Sequence, residues 1–577
     1  TKEAGSVGEP LYLDVCASIF EMGRTNLKVI GGRYGLGGKD FSPKHVKAIC
    51  DNLRTSESKN HFTVGIDDDV SFLSLKTDDN FSISNSTTKE FKFFGLGSDG
   101  TVSANKNTIK IIGNETDKYV QGYFEYDSKK SGSLTISHLR ISKDPIKSAY
   151  TLNSADFIAC HNYSFISRYD ILKGLKQNGT VLLNTCLTEE ELADNLPNNF
   201  KKTITEKSAK LYFINAAQIA SACGLKNKIN VIMQAAFFKI SDVIDFATAE
   251  KELKAAIVKT YGKKGDAVIN ANISAVDSAI TDIKELNVKL LKIKDEEIAN
   301  VVENEYYQNF IKPIESLEGN SLKVSAFNKC GIVPTDTAKF EKRGISEACP
   351  VWQSENCIQC GKCIMACPHA AIRAVLTDKD EKLPDNFKTI PALGIKDKNY
   401  RIQISPLDCT GCNVCANVCP ARNKALKMTL TTNELDKQKE NFLFAESFEN
   451  KQTVFSKETV KGLQFEKPYF EFSGACAGCG ETPYIKALTQ LFGDQMIIAN
   501  ATGCSSIYGG SAPSCPYAKN SAGNGPAWAS SLFEDNAEFG LGIALAVADK
   551  KEKISLLCEK AICDNTFSKE TNDMLTM

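Results

Sequence analysis

The sequence has almost no net charge. Its 577 residues include 69 Lys and Arg against 70 Asp and Glu, which gives a formal net charge of −1. No block of like charges stands out along the chain. Because nucleic acids and anionic membranes bind proteins that concentrate positive charge, we expect neither as a partner.

Long hydrophobic runs and targeting signals are also missing. No apolar run approaches the roughly 20 residues that a bilayer-spanning helix requires, so no membrane span is expected. The chain begins with Thr1 and shows no signal or transit pattern. It stops at Met577, shortly after a short apolar run at 554–557 that we interpret as a strand. These features predict a partial sequence that lacks both its N-terminal and its C-terminal parts.

The length and composition predict several globular domains. A chain of 577 residues with 42% hydrophobic and 24% charged residues is too long for a single hydrophobic core. Between residues 89 and 315, apolar strand patterns alternate with helical patterns, which predicts an α/β domain with a largely parallel sheet. The predicted strands are 91–94, 119–126, 133–139, 157–159, 180–184 and 210–214. The predicted helices are 167–176, 188–194, 215–223, 230–243 and 248–261.

Cysteines cluster in one segment, because eight of the 21 lie between Cys357 and Cys419. They form two copies of one pattern, C-x2-C-x2-C-x3-C-P, at residues 357–368 and 409–420. In such a run, three thiolates hold one [4Fe–4S] cluster and the fourth cysteine binds the other cluster. This spacing assigns one cluster to Cys357, Cys360, Cys363 and Cys419, and the second to Cys409, Cys412, Cys415 and Cys367.

The alternative to iron–sulfur ligation is structural zinc. Zinc sites use paired C-x2-C knuckles with four ligands each, whereas here a third and a fourth cysteine recur at fixed offsets in both runs. Iron–sulfur clusters are therefore the favoured interpretation, and they imply transfer of single electrons. Cys349 is expected to be a free thiol. His369 is expected at the surface, with a hydrogen bond to a cluster as the alternative.

A third cysteine set and a glycine-rich loop each leave two interpretations open. Cys476, Cys479 and Cys504 lie among small residues, which allows a bulky group to approach the backbone. Their spacing alone fits either a metal site with three ligands or ordinary buried thiols. The G-x-G-x-x-G pattern at 95–100 fits either a dinucleotide-binding loop, with Glu125 or Asp127 as the acidic residue, or a tight strand-to-helix turn that requires glycine.

Taken in order, these elements resemble the pyruvate:ferredoxin (flavodoxin) oxidoreductases over essentially the whole chain. The strings that carry the resemblance are GEPLY (8–12), YGLGGKD (34–40), FGLGSDGTV (94–102), YDSKKSG (126–132), both cysteine runs, GACAGCGET (474–482) and GNGPAWA (523–529) with FG at 539–540. The resemblance implies oxidative decarboxylation of pyruvate to acetyl-CoA and CO2, with one-electron reduction of ferredoxin or flavodoxin through three [4Fe–4S] clusters.

The resemblance also assigns residues to cofactors. It implies that Cys476, Cys479 and Cys504 bind the third cluster, whose fourth ligand belongs to sequence after Met577. Glu481 and Cys504 match positions that touch thiamine diphosphate, with Glu481 as the catalytic candidate, and the Mg²⁺ ligands are also expected after Met577. Five residues are implied for coenzyme A, namely Asp99, Lys130, Ser131, Lys228 and Asn272. Relatives are expected to have Arg at the position of Lys228. Lysine keeps the positive charge there but lacks the bidentate hydrogen-bonding fork of arginine.

The resulting expectation is an α/β multidomain protein. Its expected parts are 1–50, the end of a preceding α/β domain; 51–88, a connector; 89–315, an α/β domain for coenzyme A; 316–345, a connector; 346–435, a dicluster ferredoxin-like α+β domain; 436–465, a linker; and 466–577, the start of a thiamine-diphosphate-binding α/β domain. The fragment alone is expected to be inactive, and the protein to be a homodimer in the cytoplasm or in a hydrogenosome-like anaerobic organelle.

Three other functions remain open at this point. A fusion enzyme that passes electrons to a C-terminal flavin module and reduces NADP would contain the same 577 residues. An oxidoreductase for another 2-oxo acid would share the motifs, although the domain order argues against it. An electron carrier without substrate chemistry would require the strings at 474–482 and 503–506 to have no role.

Overall fold

The chain folds into two compact units in a computed structural model. The structure describes residues 6–24, 26–79, 81–83, 86–97, 99–127, 129, 132–225, 228–293, 304–346, 348–448, 455–510, 514–564 and 567–576. The first unit comprises residues 1–127 and 133–332, and the second comprises 128–132 and 333–577. In the described part of the chain, no helix combines the length and the apolar character that crossing a membrane requires.

The first unit is built around a seven-stranded sheet. Its helices and strands are α1 (Pro10–Glu21), β1 (Gly32–Arg33), α2 (Pro43–Arg54), β2 (Phe62–Thr63), β3 (Thr88–Leu96), α3 (Thr101–Glu115), β4 (Tyr119–Tyr126), β5 (Leu134–Ser142), β6 (Ala155–Cys160), β7 (Leu175–Asn184), α4 (Glu189–Asn195), α5 (Asn198–Glu206), β8 (Lys210–Ile214), α6 (Ala216–Ala222), α7 (Asn230–Ser241), α8 (Phe246–Tyr261), α9 (Asp266–Asp282), β9 (Lys284–Glu285) and α10 (Lys312–Glu315). The strand order in the large sheet is β4-β5-β3-β6-β7-β8-β9.

The sheet is mixed rather than largely parallel. Strands β3, β6, β7 and β8 run parallel to one another, whereas β5, β4 and β9 join antiparallel at the two sides. The four parallel strands are buried on both faces, which explains their nearly continuous apolar sequences. On one face, Phe237 of α7 packs edge-on against Phe91, Phe93 and Phe157, with ring centroids 5.1–5.4 Å apart.

The predicted strands at 119–126 and 210–214 are confirmed at both ends, but the predicted helix at 167–176 is wrong. That segment forms turns that lead into β7, because Gly174 has a φ of +83° and a Cβ there would lie 2.2 Å from the carbonyl oxygen of Asn153. Its apolar residues Ile171 and Leu172 are buried without helical backbone. A short apolar pattern does not by itself distinguish these two outcomes. Helices α5 and α9 were not predicted.

The second unit begins with two antiparallel strand pairs and two short helices. Its helices and strands are β10 (Ala348–Trp352), α11 (Lys362–Ala366), β11 (Ile372–Asp378), β12 (Ile390–Pro391), β13 (Lys398–Ile404), α12 (Val414–Asn417), β14 (Leu426–Leu430), α13 (Thr431–Glu446), α14 (Val460–Leu463), α15 (Thr482–Phe492), β15 (Ile497–Ala501), α16 (Cys504–Gly510), β16 (Ala527–Ser531), α17 (Asn536–Cys563) and α18 (Lys569–Thr576). Strand β10 pairs with β14, and β11 pairs with β13. The short helices α11 and α12 pack against each other.

Two expectations for the second unit are wrong. The segment 436–465 was expected to be a linker, but α13 occupies residues up to Glu446, and α14 lies at 460–463. The apolar run at 554–557 is not a strand, because it lies inside the 28-residue helix α17. A four-residue segment with three apolar residues is too short to show the helical period of 3.6, so it does not predict the surrounding helix.

Candidate metal centre

The two cysteine runs fold into loops with matching backbone conformations. The residues before and after the middle cysteine both adopt positive φ in each loop: Gln359 (54°) and Gly361 (71°) in the first, Gly411 (67°) and Asn413 (64°) in the second. Only Gly adopts this region without cost. Gln359 is buried and exchanges hydrogen bonds with the backbone at 391 and 393, both of 2.8 Å, which offsets its strain. The two cysteine loops therefore follow the same local backbone path around their middle cysteine.

The first thiol set gathers Cys357, Cys360, Cys363 and Cys419. Burial, together with the nearby thiols of Cys357, Cys360 and Cys419, raises the pKa of the Cys363 thiol to about 12. Burial also raises the pKa of Cys357, with Cys360 and Cys419 among the contributing neighbours. Cys419 of the other cysteine run is therefore a neighbour of Cys357 and Cys363, and the binding of one cluster by these four thiols stays a prediction.

The second thiol set gathers Cys409, Cys412, Cys415 and Cys367. These four cysteines line one cavity between α11 and α12. Burial raises the pKa of Cys409 to about 12, and Cys367 is among the neighbouring groups that contribute. A thiol must lose its proton to bind a metal, so cluster binding would release protons from these buried sites.

The two thiol sets can supply the ligands of iron–sulfur clusters. Each set offers four thiols, and backbone N–H groups face two of the sulfur atoms: Gly411 N lies 3.4 Å from Cys409 Sγ, and Ala425 N lies 3.4 Å from Cys419 Sγ. Hydrogen bonds to cysteine sulfur are a regular feature of iron–sulfur sites, where they help to set the reduction potential. The donor set therefore fits iron–sulfur clusters.

The structure corrects the expectation for His369 and leaves that for Cys349 open. His369 is only 2% exposed, not at the surface, and its Nδ1 lies 3.1 Å from the Ser473 carbonyl oxygen. Burial lowers its pKa to about 4, with Arg343 as the next contributor. Cys349 is buried in β10, and burial raises the pKa of its thiol.

The third cysteine set lies in a later segment of the second unit, and its loop adjoins the second thiol set, since a Cβ on Gly478 would lie 3.7 Å from Cys412 Cβ. Cys476 and Cys479 lie in the loop before α15, and Cys504 is the first residue of α16. Cys476 and Cys504 are exposed, and Cys479 is half-buried. Cys479 packs in the same apolar cluster as Tyr508 of α16, so the loop and α16 are neighbours.

Glu481 lies beside this apolar cluster, at the N-terminal end of α15. Its side chain is exposed and makes no capping hydrogen bond. Burial raises the pKa of Tyr508, and the adjacent Glu481 and Cys479 raise it further, which places the three side chains together. A buried tyrosine hydroxyl beside an exposed carboxylate fits a site that receives a further group.

A junction joins the segment 364–369 to the segment 472–486, and we call it the Cys367 junction. Lys486 of α15 donates from Nζ to the carbonyl oxygens of Ile364, Met365 (3.1 Å) and Cys367 (2.8 Å). Phe472 N donates to the His369 carbonyl oxygen at 2.9 Å. Lys486 is 2% exposed, and burial lowers its pKa to about 8. The backbone that carries Cys367 is thus hydrogen-bonded to the segment that carries the third cysteine set.

The sequence does not predict the burial of Lys486 or the Cys367 junction. Helix α15 buries Thr482, Lys486, Thr489 and Gln490, whereas its apolar Tyr484, Leu488 and Phe492 are exposed. An amphipathic pattern predicts the opposite orientation. The only signal in the sequence was a lysine within a short helical pattern after the third cysteine set, and it did not indicate burial.

The candidate coenzyme A residues are brought together only in part. Asp99 accepts hydrogen bonds from Leu96 N (2.8 Å), Thr101 N (2.7 Å) and Thr101 Oγ1 (2.8 Å), and thereby shapes the turn into α3. Lys228 is exposed just before α7, and a Cβ on Gly100 would lie 3.1 Å from Asn230, so these two loops adjoin. Asn272 is 3% exposed and donates to the Val268 carbonyl oxygen. Lys130 and Ser131 lie outside the described residues.

The glycine-rich loop at 95–100 is a tight turn and not a dinucleotide-binding unit. Helix α3 leads into β4, which lies at the outer side of the sheet and pairs antiparallel with β5. The dinucleotide fingerprint requires a return to a parallel neighbouring strand. The glycines are explained by close contacts, since a Cβ on Gly95 would lie 2.5 Å from Thr101 Oγ1 and one on Gly97 would lie 2.3 Å from Ser133 Oγ.

Substitution of Gly411 with alanine is expected to prevent loading of the second thiol set. A Cβ there would lie 2.6 Å from Ser346 Oγ and 3.1 Å from the Ala348 carbonyl oxygen, at a φ of +67°. G331A is a matched control, because Gly331 has a φ of +68° and nothing within 4 Å of an added Cβ. Iron and acid-labile sulfide per chain should fall in G411A and stay unchanged in G331A. Equal iron contents would show that the loop tolerates the added side chain.

Comparison with protein families gives matches in three parts of the chain. Residues 90–281 match the family model "Pyruvate ferredoxin/flavodoxin oxidoreductase", and residues 356–423 match "4Fe-4S dicluster domain". Residues 294–346 match a domain of unknown function. The second match coincides with the two thiol sets, so the chain contains a [4Fe–4S] dicluster domain within a mixed α/β structure.

Whole-sequence comparison extends this similarity to nearly the full chain. The chain is 54% identical over 569 residues to the pyruvate:ferredoxin oxidoreductase of Moorella thermoacetica, covering 97% of this chain and 48% of that protein. It is 47% identical over 572 residues to the pyruvate-flavodoxin oxidoreductase of Enterobacter agglomerans, covering 98% and 48%. It is 44% identical over 607 residues to the pyruvate dehydrogenase [NADP(+)] of Cryptosporidium parvum, covering 99% and 31%. The chain therefore spans about half the length, or less, of these curated relatives.

Proposed function

We propose that this chain, a homologue of the pyruvate:ferredoxin and pyruvate-flavodoxin oxidoreductases along nearly its whole length, takes part in the oxidative decarboxylation of pyruvate to acetyl-CoA and CO2. The electrons would pass one at a time to ferredoxin or flavodoxin. The structural observation that carries this proposal is the Cys367 junction. Through it, the dicluster domain is hydrogen-bonded to the segment that contains Cys476, Cys479 and Glu481.

The proposal assigns the following roles to residues of this chain. The two interleaved thiol sets would hold two clusters, and Cys476, Cys479 and Cys504 would supply three ligands to a third. Glu481 would contact thiamine diphosphate, since its carboxylate is exposed beside α16. When bound, thiamine diphosphate supplies the centre that stabilises carbanion character at the 2-oxo acid, and the clusters carry single electrons. Mg²⁺ would accompany the diphosphate, and no residue of this chain is assigned to it.

Coenzyme A would bind near the turn that Asp99 shapes. Asp99 and Lys228 flank loops that adjoin through Gly100 and Asn230, at the carboxyl end of β3. Ligands of open α/β sheets bind at the carboxyl ends of the parallel strands. Because Asn272 is buried and bonded within α9, we assign it the role of supporting this region through α7 and not of direct contact.

The proposal is tested by metal analysis and spectroscopy on the full-length protein that contains this chain, purified without oxygen. Three clusters correspond to about twelve iron ions per chain, and two clusters to about eight. With thiamine diphosphate and Mg²⁺ supplied, pyruvate should produce a radical signal in electron paramagnetic resonance (EPR), and coenzyme A should accelerate reduction of the clusters. About eight iron ions and no response to any 2-oxo acid would reduce the protein to a dicluster electron carrier.

Three comparisons separate the remaining possibilities. C504A should lose iron from one cluster, whereas C515A should not, because Cys515 is a buried thiol whose backbone is hydrogen-bonded to Thr337 and Ala338. Reduction of ferredoxin in preference to NADP would support the ferredoxin-dependent function over the NADP-reducing one. Faster reduction with 2-oxoglutarate than with pyruvate would instead identify a different 2-oxo acid.

A further inference from the structure

A buried ammonium group contacts the one segment that carries a ligand to each of the two clusters. Lys486 Nζ donates to three carbonyl oxygens around the C-terminal end of α11, which carries Cys363 and leads to Cys367. Cys363 belongs to the first thiol set and Cys367 to the second. A single cation is therefore held within a few residues of a ligand to each cluster.

The position of Lys486 is costly, which suggests a specific role. Transfer of an ammonium group from water to a protein interior costs several kcal/mol unless other groups compensate for it. The charged groups that act on Lys486 are Cys367, Arg373 and Cys363. Arg373 already forms an ion pair with the buried Glu471. The negative charge that best compensates Lys486 is therefore that of the deprotonated cysteine ligands.

We propose that Lys486 is a positioning residue for electron transfer: its ammonium group fixes the Cys367 ligand segment against the loop of the third cysteine set, and its charge raises the reduction potential of the cluster that Cys367 binds. The inference rests on the dicluster domain. Its role in electron transfer also rests on the proposed function. A reduced cluster carries one more negative charge than an oxidised one. A fixed neighbouring cation therefore stabilises the reduced form.

The geometry also explains why the cation is a lysine on α15 and not a group within the ligand loop. Helix α15 starts three residues after Cys479, and Lys486 lies one turn further along the helix. Its three hydrogen bonds end on backbone carbonyls, so the contact holds the path of the chain through Cys367. His369 adds a second link to the same segment through the Ser473 carbonyl oxygen.

The test is a redox titration of the cluster-loaded holoprotein, followed by EPR with chemical reductant and mediators. K486Q keeps hydrogen-bond donors but removes the charge, and K486R keeps the charge. The matched control is K201Q, because Lys201 is 1% exposed and also donates to backbone carbonyls, those of Asp194 (3.1 Å) and Lys292 (3.0 Å), in the first unit. The cluster to follow is the one that loses iron in C367A.

We expect K486Q to shift the midpoint potential of that cluster to more negative values with its iron retained, K486R to shift it less, and K201Q to leave it unchanged. An unchanged potential in fully loaded K486Q would overturn the proposal. If K486Q loses iron, retention of iron in K486R supports the positioning role, and equal loss in K486R overturns it. Since no 2-oxo acid is used, the result does not depend on whether the protein oxidises pyruvate.

Discussion

Replacement of Cys367 with alanine is expected to remove iron from the cluster bound by Cys409, Cys412 and Cys415, and to spare the cluster of its own run. The reason is the interleaved arrangement, in which Cys367 lines a cavity with the three thiols of the other run. The expected loss is up to about four iron ions per chain, measured together with acid-labile sulfide.

Double substitutions identify which cluster is affected. C367A/C412A should lose no more iron than C367A, because both residues serve one cluster. C367A/C360A should lose roughly twice as much, because the two residues serve different clusters. If each run instead bound its own cluster, the two double variants would exchange their results.

Cys349 supplies the control for nonspecific effects of removing a thiol. It is buried in β10 and lies close enough to Cys409 to affect the pKa of that thiol. It lies outside both interleaved sets. C349A should therefore keep the iron content of the unmodified protein, and a loss of one cluster in C349A would show that this thiol is a ligand.

The cysteine sets could be derived from the sequence because their information is local. Thiolates at every third residue, repeated twice, specify the chemistry before any fold is known. The strand β8 (Lys210–Ile214) was predictable for a similar reason, since a short apolar run between two helical patterns matches a buried parallel strand. The family match at residues 356–423 agrees with the spacing of the two runs.

The Cys367 junction could not be derived in this way, because it depends on contacts between segments about 100 residues apart. Lys486 lies 119 residues after Cys367. The polar face of its helix is buried, which is the reverse of the usual amphipathic arrangement. A lone histidine after a ligand loop belongs to no periodic pattern that would indicate burial, so the sequence predicts His369 at the surface. Burial of polar groups is set by tertiary packing, and single-sequence periodicity reports only on apolar faces.

The errors in secondary structure have the same physical origin. The turns at 167–174 bury the adjacent apolar residues Ile171 and Leu172, but the left-handed Gly174 prevents a helix. The sequence of helix α13 is rich in Lys, Glu and Asn, which predicts a linker. It nevertheless buries Phe442 and Ala445, so two apolar residues and their packing outweigh the polar composition.

Substitution of Glu341 with alanine is expected to destabilise the second unit by about 3–5 kcal/mol in the free energy of unfolding, as for removal of one partner from a buried ion pair. The Glu341 side chain is 4% exposed. Its carboxylate accepts from Lys129 Nζ at 2.5 Å and from the Ser514 hydroxyl, and it lies 3.8 Å from Arg343 Nε. One carboxylate therefore joins three segments of the unit.

Fluorescence-monitored denaturant unfolding can measure this loss in the correct unit. The two tryptophans of the chain, Trp352 and Trp528, both lie in the second unit. The control is D549N, which breaks the Lys553–Asp549 ion pair at 2.7 Å, with side chains 68% and 58% exposed. Exposed pairs contribute little, so D549N should change stability far less than E341A. Similar effects in both variants would show that burial does not strengthen the Glu341 interactions.

The pH dependence provides a second, independent measure of the same interactions. Burial pushes the pKa of Glu341 up, but Lys129 and Arg343 outweigh burial and hold the pKa below the ordinary value of 4.5. A carboxylate with a lowered folded-state pKa contributes stability that is complete above its unfolded-state pKa and is lost as the pH falls through the folded-state value. The stability difference between the unmodified protein and E341Q should therefore stay constant from pH 8 down to about pH 5. A difference that already shrinks between pH 7 and pH 6 would contradict the assignment of a charged, ion-paired Glu341, because only a carboxylate with a raised pKa would take up its proton in that range.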